Sequence, residues 1–148
     1  SHRLHPAVLE ELGLEAALRT LAQEMLIEAK IEFECQLDLD GQRLPSEIEI
    51  NLYRIAQESL TNIIRHAEAE QVAIELEVAS EVVSLRIRDD GIGFVSDDSG
   101  RRANQNRLGL ISMHERAEMI GGSLAVKAAP GSGTLINVQI PIRLKENE

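Results

Sequence analysis

Apolar residues recur along the chain with two different spacings, and these spacings predict its helices and strands. Helical spacing runs through residues 14–29, through a longer segment at about 46–67, and through a segment at about 109–120 that ends at Gly121-Gly122. Apolar side chains three and four residues apart share one face of a helix, so each segment predicts an amphipathic helix. Pro6 is also compatible with the start of a short helix.

Alternation of apolar and polar residues predicts five strands, at residues 31–39, 72–78, 83–87, 123–128 and 134–140. A polar stretch from Ser96 to Arg107 shows no periodicity and predicts a mobile loop of a length that is usually functional. The order of helices and hairpin-linked strands does not repeat as βαβ units. We therefore expect an α+β fold: a two-layer sandwich whose sheet is covered on one face by helices.

Composition narrows the classes of function. The 148 residues suit one domain, and only three of them are aromatic, so the core must be aliphatic. A net charge of −10 argues against nucleic-acid binding, and the lone Cys35 excludes a disulfide framework and fits a reducing compartment. Residues 1–80 hold 16 acidic and six basic residues, whereas residues 81–148 hold nine of each. The second half is therefore the better place for a bound polyanion.

One row of polar side chains lies on the long predicted helix. Glu58, Asn62 and His66 follow each other at intervals of four, and on a helical wheel Asn62 lies at the rim of the apolar stripe with His66 inside it. The row is either a solvated boundary or an acid, an amide and an imidazole that line a cleft. An amide oxygen in such a cleft can join Mg²⁺ together with nucleotide phosphates.

A second group follows the third predicted strand. Strand parity places Asp89 on the apolar face, where a carboxylate needs a donor from the protein or from a ligand such as the amine of adenine. Gly91 and Gly93 allow close approach of another group, although a plain turn explains Asp-Gly equally well.

A third group is the predicted helix start at Gly109, where free N–H groups and nearby arginines could bind phosphate. The fourth, residues 131–134, is by itself only a hairpin turn. The dinucleotide-binding Gly-x-Gly-x-x-Gly and the P-loop pattern are absent.

In this order, these segments together resemble the sequence boxes of sensor histidine kinases. The run from Gln57 to Ala67 resembles the N box, residues 89–94 resemble the first glycine box, and residues 108–117 resemble the second box of nitrate-sensor-like kinases. Residues 130–134 resemble the closing Gly-Thr element, and residues 4–18 resemble the segment that enters the ATPase domain in that subfamily.

The resemblance implies the Bergerat fold, in which the sheet is mixed and mostly antiparallel, with an ATP lid, and it implies ATP and Mg²⁺ as ligands. It implies that Asp89 accepts from the adenine amine, that Asn62 holds Mg²⁺, and that Glu58 assists phosphoryl transfer as a polarising or base-like group. The other implied nucleotide-binding residues approach the phosphates, shape the pocket and lid, or support the adenine end: Arg65, His66, Gly91, Gly93, Arg107, Leu108, Gly109, Leu110, Gly133 and Thr134.

The implied function is the catalytic domain of a sensor histidine kinase, which transfers the γ-phosphoryl group of Mg-ATP to a histidine on a separate dimerisation domain. Residues 1–13 would be the remnant of a linker and residues 14–148 the ATP-binding domain. The implied partners are that dimerisation domain and a response regulator with a helix-turn-helix output. We expect a monomeric cytoplasmic domain, without nucleic-acid or membrane contact, of a homodimeric and membrane-associated kinase.

Two alternatives stay open: an anti-sigma-factor-like serine kinase of the same superfamily, and a degenerate interaction module. Residues 113–117 argue against the first, and the presence of Glu58, Asn62 and Asp89 argues against the second. The chain also departs from the family pattern at Arg107, where the second box often has a glycine, and it has no match to the upstream segment that carries the acceptor histidine.

Overall fold

The structure, a computed structural model, describes residues 6–93 and 101–142, without the side chains of residues 101–105. Its helices are α1 (Ala7–Leu12), α2 (Leu14–Glu28), α3 (Ser46–Asn62), which continues into a π-helical turn (Ile63–Ala67), and α4 (Arg101–Met119). Its strands are β1 (Glu32–Asp38), β2 (Gln71–Ala79), β3 (Val82–Asp89), β4 (Ser123–Ala128) and β5 (Thr134–Pro141).

The five strands form one mixed sheet in the order β1-β2-β3-β5-β4. Strand β1 runs parallel to β2, and the other three pairs are antiparallel. Alternate residues of β2 and β3 are buried in the core between the sheet and the helices, while the opposite face carries ion pairs such as Arg86 with Glu75. The α+β sandwich expected from the sequence is confirmed. None of the described helices combines the length and apolar composition that crossing a bilayer requires.

The core between the two layers is aliphatic, as the composition predicts. Its largest fully buried side chains are leucines and isoleucines from α2, α3, β2 and β3, such as Leu18, Leu52, Ile55, Ile74 and Leu85. Close packing of such side chains removes apolar surface from water and is the main favourable term in folding. This packing also fixes how α3 and α4 lie over the sheet, and so it sets the width of a cleft between these helices and the sheet.

The start of α4 differs from the prediction. The helix begins at Arg101 rather than near 109, so the predicted loop is wrong for residues 101–107; residues 96–100 lie outside the described part of the chain. Its first turns are rich in Arg, Asn, Gln and Ala, among which Arg, Gln and Ala are good helix formers, but few of these side chains are apolar. A helical turn without an apolar side leaves no periodicity to recognise.

Arginine 43 ties α1 to the rest of the fold. Its Nη2 donates to the carbonyls of Leu9 and Glu10 at 3.1 and 3.2 Å, and its Nε and Nη2 bind both carboxylate oxygens of Glu49 at 2.9 Å. Glu49 is 2% exposed and also accepts from the backbone of Leu44 at 3.2 Å. The hydrogen bond to Glu49 raises the pKa of the Arg43 guanidinium. Leu9, which is 2% exposed, packs in the same core as α2. The predicted boundary between a linker and the domain at residue 13 stays a prediction.

We expect Arg43→Met to destabilise the fold, because Glu49 would keep a buried charge with the Leu44 N–H as its remaining donor. The control is Glu75→Gln, which breaks a partly exposed pair with Arg86 and should cost under about 1 kcal/mol. Urea unfolding measures both, and the Arg43 variant should show the larger fall in midpoint. Equal midpoints for the two variants would contradict the role of this pair.

Candidate functional site

A cavity of about 50 Å³ lies between the helices and the sheet, at the carboxyl end of β3. Helix α3 and its π turn form one wall, β3 and β5 form the floor, and α4 covers the top. The side chains that matter for its chemistry are Asn62, His66, Asp89, Asn106 and Thr134. At roughly 10–15 Å³ for each water, the volume holds a few waters.

Asp89 occupies the position that strand parity predicts. It is the last residue of β3, it is 5% exposed, and it lies opposite Val72 of β2 and Thr134 of β5. Its Oδ1 accepts from the Gly91 N–H at 2.8 Å. Burial raises the pKa of the carboxyl, although the backbone N–H groups of Gly91 and Thr134 act in the opposite direction. The site therefore holds a desolvated carboxylate that a further hydrogen-bond donor would stabilise.

Asp90 holds the strand end that carries Asp89, a role that sequence reasoning missed. Its Oδ1 accepts from the backbone N–H groups of Glu70 and Gln71 at 2.8 and 2.9 Å, and these bonds lower the pKa of its carboxyl. Asp89 and Asp90 therefore have different roles, because the side chains of consecutive residues point to opposite faces of a sheet. Asp89 points into the cavity, and Asp90 fastens the end of β3 to the start of β2 outside it.

Glycines allow the backbone segments around Asp89 to touch. A Cβ on Gly91 would collide with the carbonyl oxygen of Ala67, and one on Gly133 would collide with the carbonyl oxygen of Asp89. Gly133 also has φ +77°, a conformation that side chains rarely adopt. Of the glycines predicted to shape the pocket, Gly93 lines the cavity. Gly91 and Gly133 lie behind the residues that line the cavity, where their close backbone contacts set the position of Asp89.

The polar row on α3 separates in the structure. Asn62 and His66 line the cavity, whereas Glu58 lies at the contact between α3 and α4. A Cβ built on Gly109 would lie 2.6 Å from Glu58 Oε2 and 3.2 Å from Asn62 Nδ2. Gly109 therefore lets α4 approach both side chains. Because Gly109 lies inside α4, the predicted helix start at this residue is wrong, while its role toward nucleotide phosphates stays a prediction.

The π turn brings His66 close to the Asp89 side of the cavity. Ala67, the next residue, accepts from the Ile92 N–H at 2.8 Å and touches Gly91. His66 thus lies nearer to the end of the cavity that holds Asp89 than to the end near Glu58. Arg65 in the same turn is exposed and is not among the residues that line the cavity.

Helix α4 contributes one predicted and two unpredicted residues. Leu110 lines the cavity, while Arg107 and Leu108 are exposed, Leu108 to 66%. Asn106 and Met113 also line it and were missed. Met113 accepts a hydrogen bond from Ser59 Oγ at 3.2 Å, which joins α4 to α3 at the back of the cavity. Residues 106, 110 and 113 have helical spacing, and this spacing is the signal in the sequence for the face of α4 that lines the cavity.

Comparison with known proteins gives consistent matches. The family model described as histidine kinase-, DNA gyrase B-, and HSP90-like ATPase matches residues 47–144. The chain is 33% identical over 142 residues to the signal transduction histidine-protein kinase/phosphatase DegS of Bacillus subtilis, which covers 94% of this chain and 37% of DegS. It is 32% identical over 140 residues to the sensor histidine kinase NarS of Mycobacterium tuberculosis, which covers 95% of this chain and 32% of NarS.

Solved structures agree with the sequence matches. The blue-light activated histidine kinase of Erythrobacter litoralis superposes with a TM-score of 0.71 at 26% identity, over 87% of this chain and 45% of that one.

The present chain spans less than two fifths of the length of DegS and of NarS. Because the family model covers well over half of the chain, this protein belongs to the family of histidine kinase-, DNA gyrase B- and HSP90-like ATPases.

Proposed function

We propose that this chain is the ATP-binding catalytic domain of a two-component sensor histidine kinase. The observation that carries the proposal is the cavity in which Asn62, Asp89 and Thr134, from α3, β3 and β5, come together under α4. The relatives DegS and NarS are both named histidine kinases, which favours this function over a serine kinase. Because the chain spans only part of those relatives, the transfer reaction and its partners are proposals.

The adenine base would lie against the floor of the cavity with its amine on Asp89. Ile87, Ile136 and Met113 supply apolar walls there. A buried carboxylate accepts from the exocyclic amine of adenine, whereas guanine would present a carbonyl oxygen at that position and leave two acceptors facing each other. This chemistry supports ATP over GTP as the ligand.

Magnesium fits the residues present only together with the phosphates. Within residues 6–93 and 101–142, no cluster of three or more His, Cys, Asp or Glu side chains could hold a metal, and no hydrogen bond to the protein engages the Asn62 amide. Mg²⁺ prefers oxygen ligands and usually combines one or two protein oxygens with substrate phosphates and water. Asn62 would hold it through its amide oxygen, and the ion would neutralise charge on the phosphates.

We infer that α4 moves when nucleotide enters, because Asn106, Leu110 and Met113 of this helix cover the cavity. Displacing the start of α4 would also release the Glu58 carboxylate from its contact with Gly109. Glu58 could then accept a hydrogen bond from one ring nitrogen of the acceptor imidazole and orient the other nitrogen toward the γ-phosphorus. The new N–P bond forms as the bond from phosphorus to the β–γ bridging oxygen breaks, and ADP leaves with that oxygen.

The remaining roles concern the phosphates and the partners. Arg65 and Arg107 are exposed and would approach the phosphates once α4 has moved. The acceptor histidine would lie on a separate dimerisation domain of a homodimeric kinase, and a response regulator with a helix-turn-helix output would receive the phosphoryl group. We place the domain in the cytoplasm, in contact with neither membrane nor nucleic acid.

We expect Asp89→Asn to weaken Mg-ADP binding by at least about tenfold, because the amide loses the charge that strengthens the bond to the amine. Calorimetric titration measures the affinity. The raised pKa of Asp89 means that its ionised form destabilises the empty fold at neutral pH, so the variant should melt at a temperature no lower than wild type. Unchanged affinity in a folded variant would contradict the role of Asp89.

Nucleotide affinity should also fall on acidification from neutral pH. Burial raises the pKa of Asp89, and protonation removes the charge that strengthens the bond to the amine, so wild type should lose affinity as the pH falls toward that pKa. The ratio of wild-type affinity to Asp89→Asn affinity isolates this effect, because phosphate titration is common to both proteins. A ratio that stays constant with pH would be inconsistent with the mechanism.

Transfer is tested by mixing the chain with Mg-ATP and a separately purified dimerisation domain that carries an acceptor histidine. Acid-labile, alkali-stable phosphate should appear on that domain and not on the chain alone. Glu58→Gln should keep nucleotide affinity within about threefold and lower the transfer rate by about 10²–10⁴-fold. Nucleotide binding without transfer to that domain would contradict the proposed reaction, and lost nucleotide binding with retained binding to the dimerisation domain would favour the interaction module.

A further inference from the structure

We propose that Asp90 is a positioning residue for adenine recognition, which acts through Asp89 by joining the turn after β3 to the start of β2. The proposal rests on the proposed function, since it concerns the contact between Asp89 and the adenine amine. Asp90 itself is exposed and is not among the residues that line the cavity. It therefore acts on the base only through the backbone that it shares with Asp89.

The bonds of Asp90 begin where the ladder between β2 and β3 ends. The last paired residues of these strands are Val72 and Asp89. Beyond them, Asp90 Oδ1 accepts from the N–H groups of Glu70 and Gln71 at 2.8 and 2.9 Å. The Asp90 N–H donates to the Gln71 carbonyl at 3.3 Å. Chain segments that few hydrogen bonds hold open easily, so these bonds keep the end of β3 from opening.

The turn after β3 sets the direction of the Asp89 carboxylate. Asp89 Oδ1 accepts from the Gly91 N–H at 2.8 Å, so the carboxylate moves with the backbone of this turn. The turn is held on both sides of Gly91. On one side Asp90 bonds to the start of β2, and on the other the Ile92 N–H donates to the Ala67 carbonyl at 2.8 Å. Without the Asp90 bonds, the turn would be held on one side.

The segment that holds this turn also adjoins a wall of the cavity. Residues 68–71 lead from the π turn, which includes His66, into β2. His66 and Asp89 line the same cavity. The Asp90 bonds therefore fix the floor of the cavity relative to this wall. None of these bonds involves α4, so the position that they give to Asp89 does not depend on where α4 lies when nucleotide enters.

A carboxylate suits this role because a single oxygen receives two N–H groups. Hydrogen bonds to an ionised acceptor are stronger than those to a neutral one. The two N–H groups lower the pKa of the Asp90 carboxyl, so it is ionised at neutral pH. Asparagine would place an oxygen at the same distance from the backbone and keep weaker versions of both bonds, whereas alanine would leave both N–H groups to water.

The test compares two ligands that differ in the amine alone: Mg-ADP, and the Mg complex of purine riboside 5′-diphosphate, which lacks it. Calorimetry, or competition for weak binding, measures both affinities. Wild type should prefer ADP by about tenfold or more, as a hydrogen bond to a charged group provides. Asp90→Ala should reduce this preference by at least about threefold and change the affinity for the analogue by less than about twofold. Asp90→Asn should keep the preference within about twofold of wild type.

Asp38→Ala is the matched control. The Asp38 carboxylate also accepts from a backbone N–H, that of Asp40 at 2.8 Å, but at the opposite end of the sheet. This variant should leave the preference for ADP unchanged. An equal loss of both ligands in Asp90→Ala would overturn the inference, because a general loss of structure does not distinguish the two. A preference that Asp90→Ala leaves intact would overturn it as well.

Hydrogen exchange in wild type tests the same link without a substitution. Mg-ADP should slow exchange of the Glu70 and Gln71 amides by at least about twofold and leave the Asp40 amide unchanged, since the ligand stabilises the turn that the first two hold. Exchange at Glu70 and Gln71 that nucleotide does not slow would count against the inference. If wild type binds neither ligand, the proposed function fails. If wild type binds both ligands equally, the contact between Asp89 and the amine fails, and this inference fails with it. If wild type prefers ADP and Asp90→Ala does so equally, only this inference fails.

Discussion

The arrangement of the site depends on one constraint, a carboxylate on the apolar face of a sheet. Asp89 would be costly to bury on its own, so the surrounding backbone is fitted closely around it. Gly91 and Thr134 supply N–H groups, Gly133 allows β5 to touch the carbonyl of Asp89, and Asp90 fastens the strand end from outside. Compensation stays incomplete, since the pKa remains raised, and this residual cost is what a ligand with a donor can relieve.

The sequence predicts those parts of the fold that bury a regular apolar face. The strand that ends at Asp89 and the helix that carries Asn62 follow from alternation and from helical spacing, because each packs one side against the core. The start of α4 could not be predicted in this way, since residues 101–107 have no apolar stripe. The division of Asp89 and Asp90 follows partly from parity, but the bonds of Asp90 to Glu70 and Gln71 depend on which strand is the neighbour.

Asn62 and Glu58 lie on one face of α3, and yet their side chains meet different neighbours. A helical wheel gives the direction in which a side chain leaves its own helix, but not which neighbour it meets. Gly109 brings α4 against Glu58, while Asn62 one turn later still reaches the cavity. The proposed motion of α4 therefore controls two events together, the opening of the cavity and the exposure of the carboxylate proposed for catalysis.

The attachment of α1 through Arg43 bears on how such domains can be exchanged between proteins. The carbonyls of Leu9 and Glu10 and the carboxylate of Glu49 share one guanidinium, and Leu9 fills part of the core. A chimaera joined after α1 would bring a foreign segment to an arginine whose partners in α1 are backbone carbonyls. A junction before Pro6 would keep this contact intact, so the natural seam for grafting lies upstream of the helix rather than at Gly13.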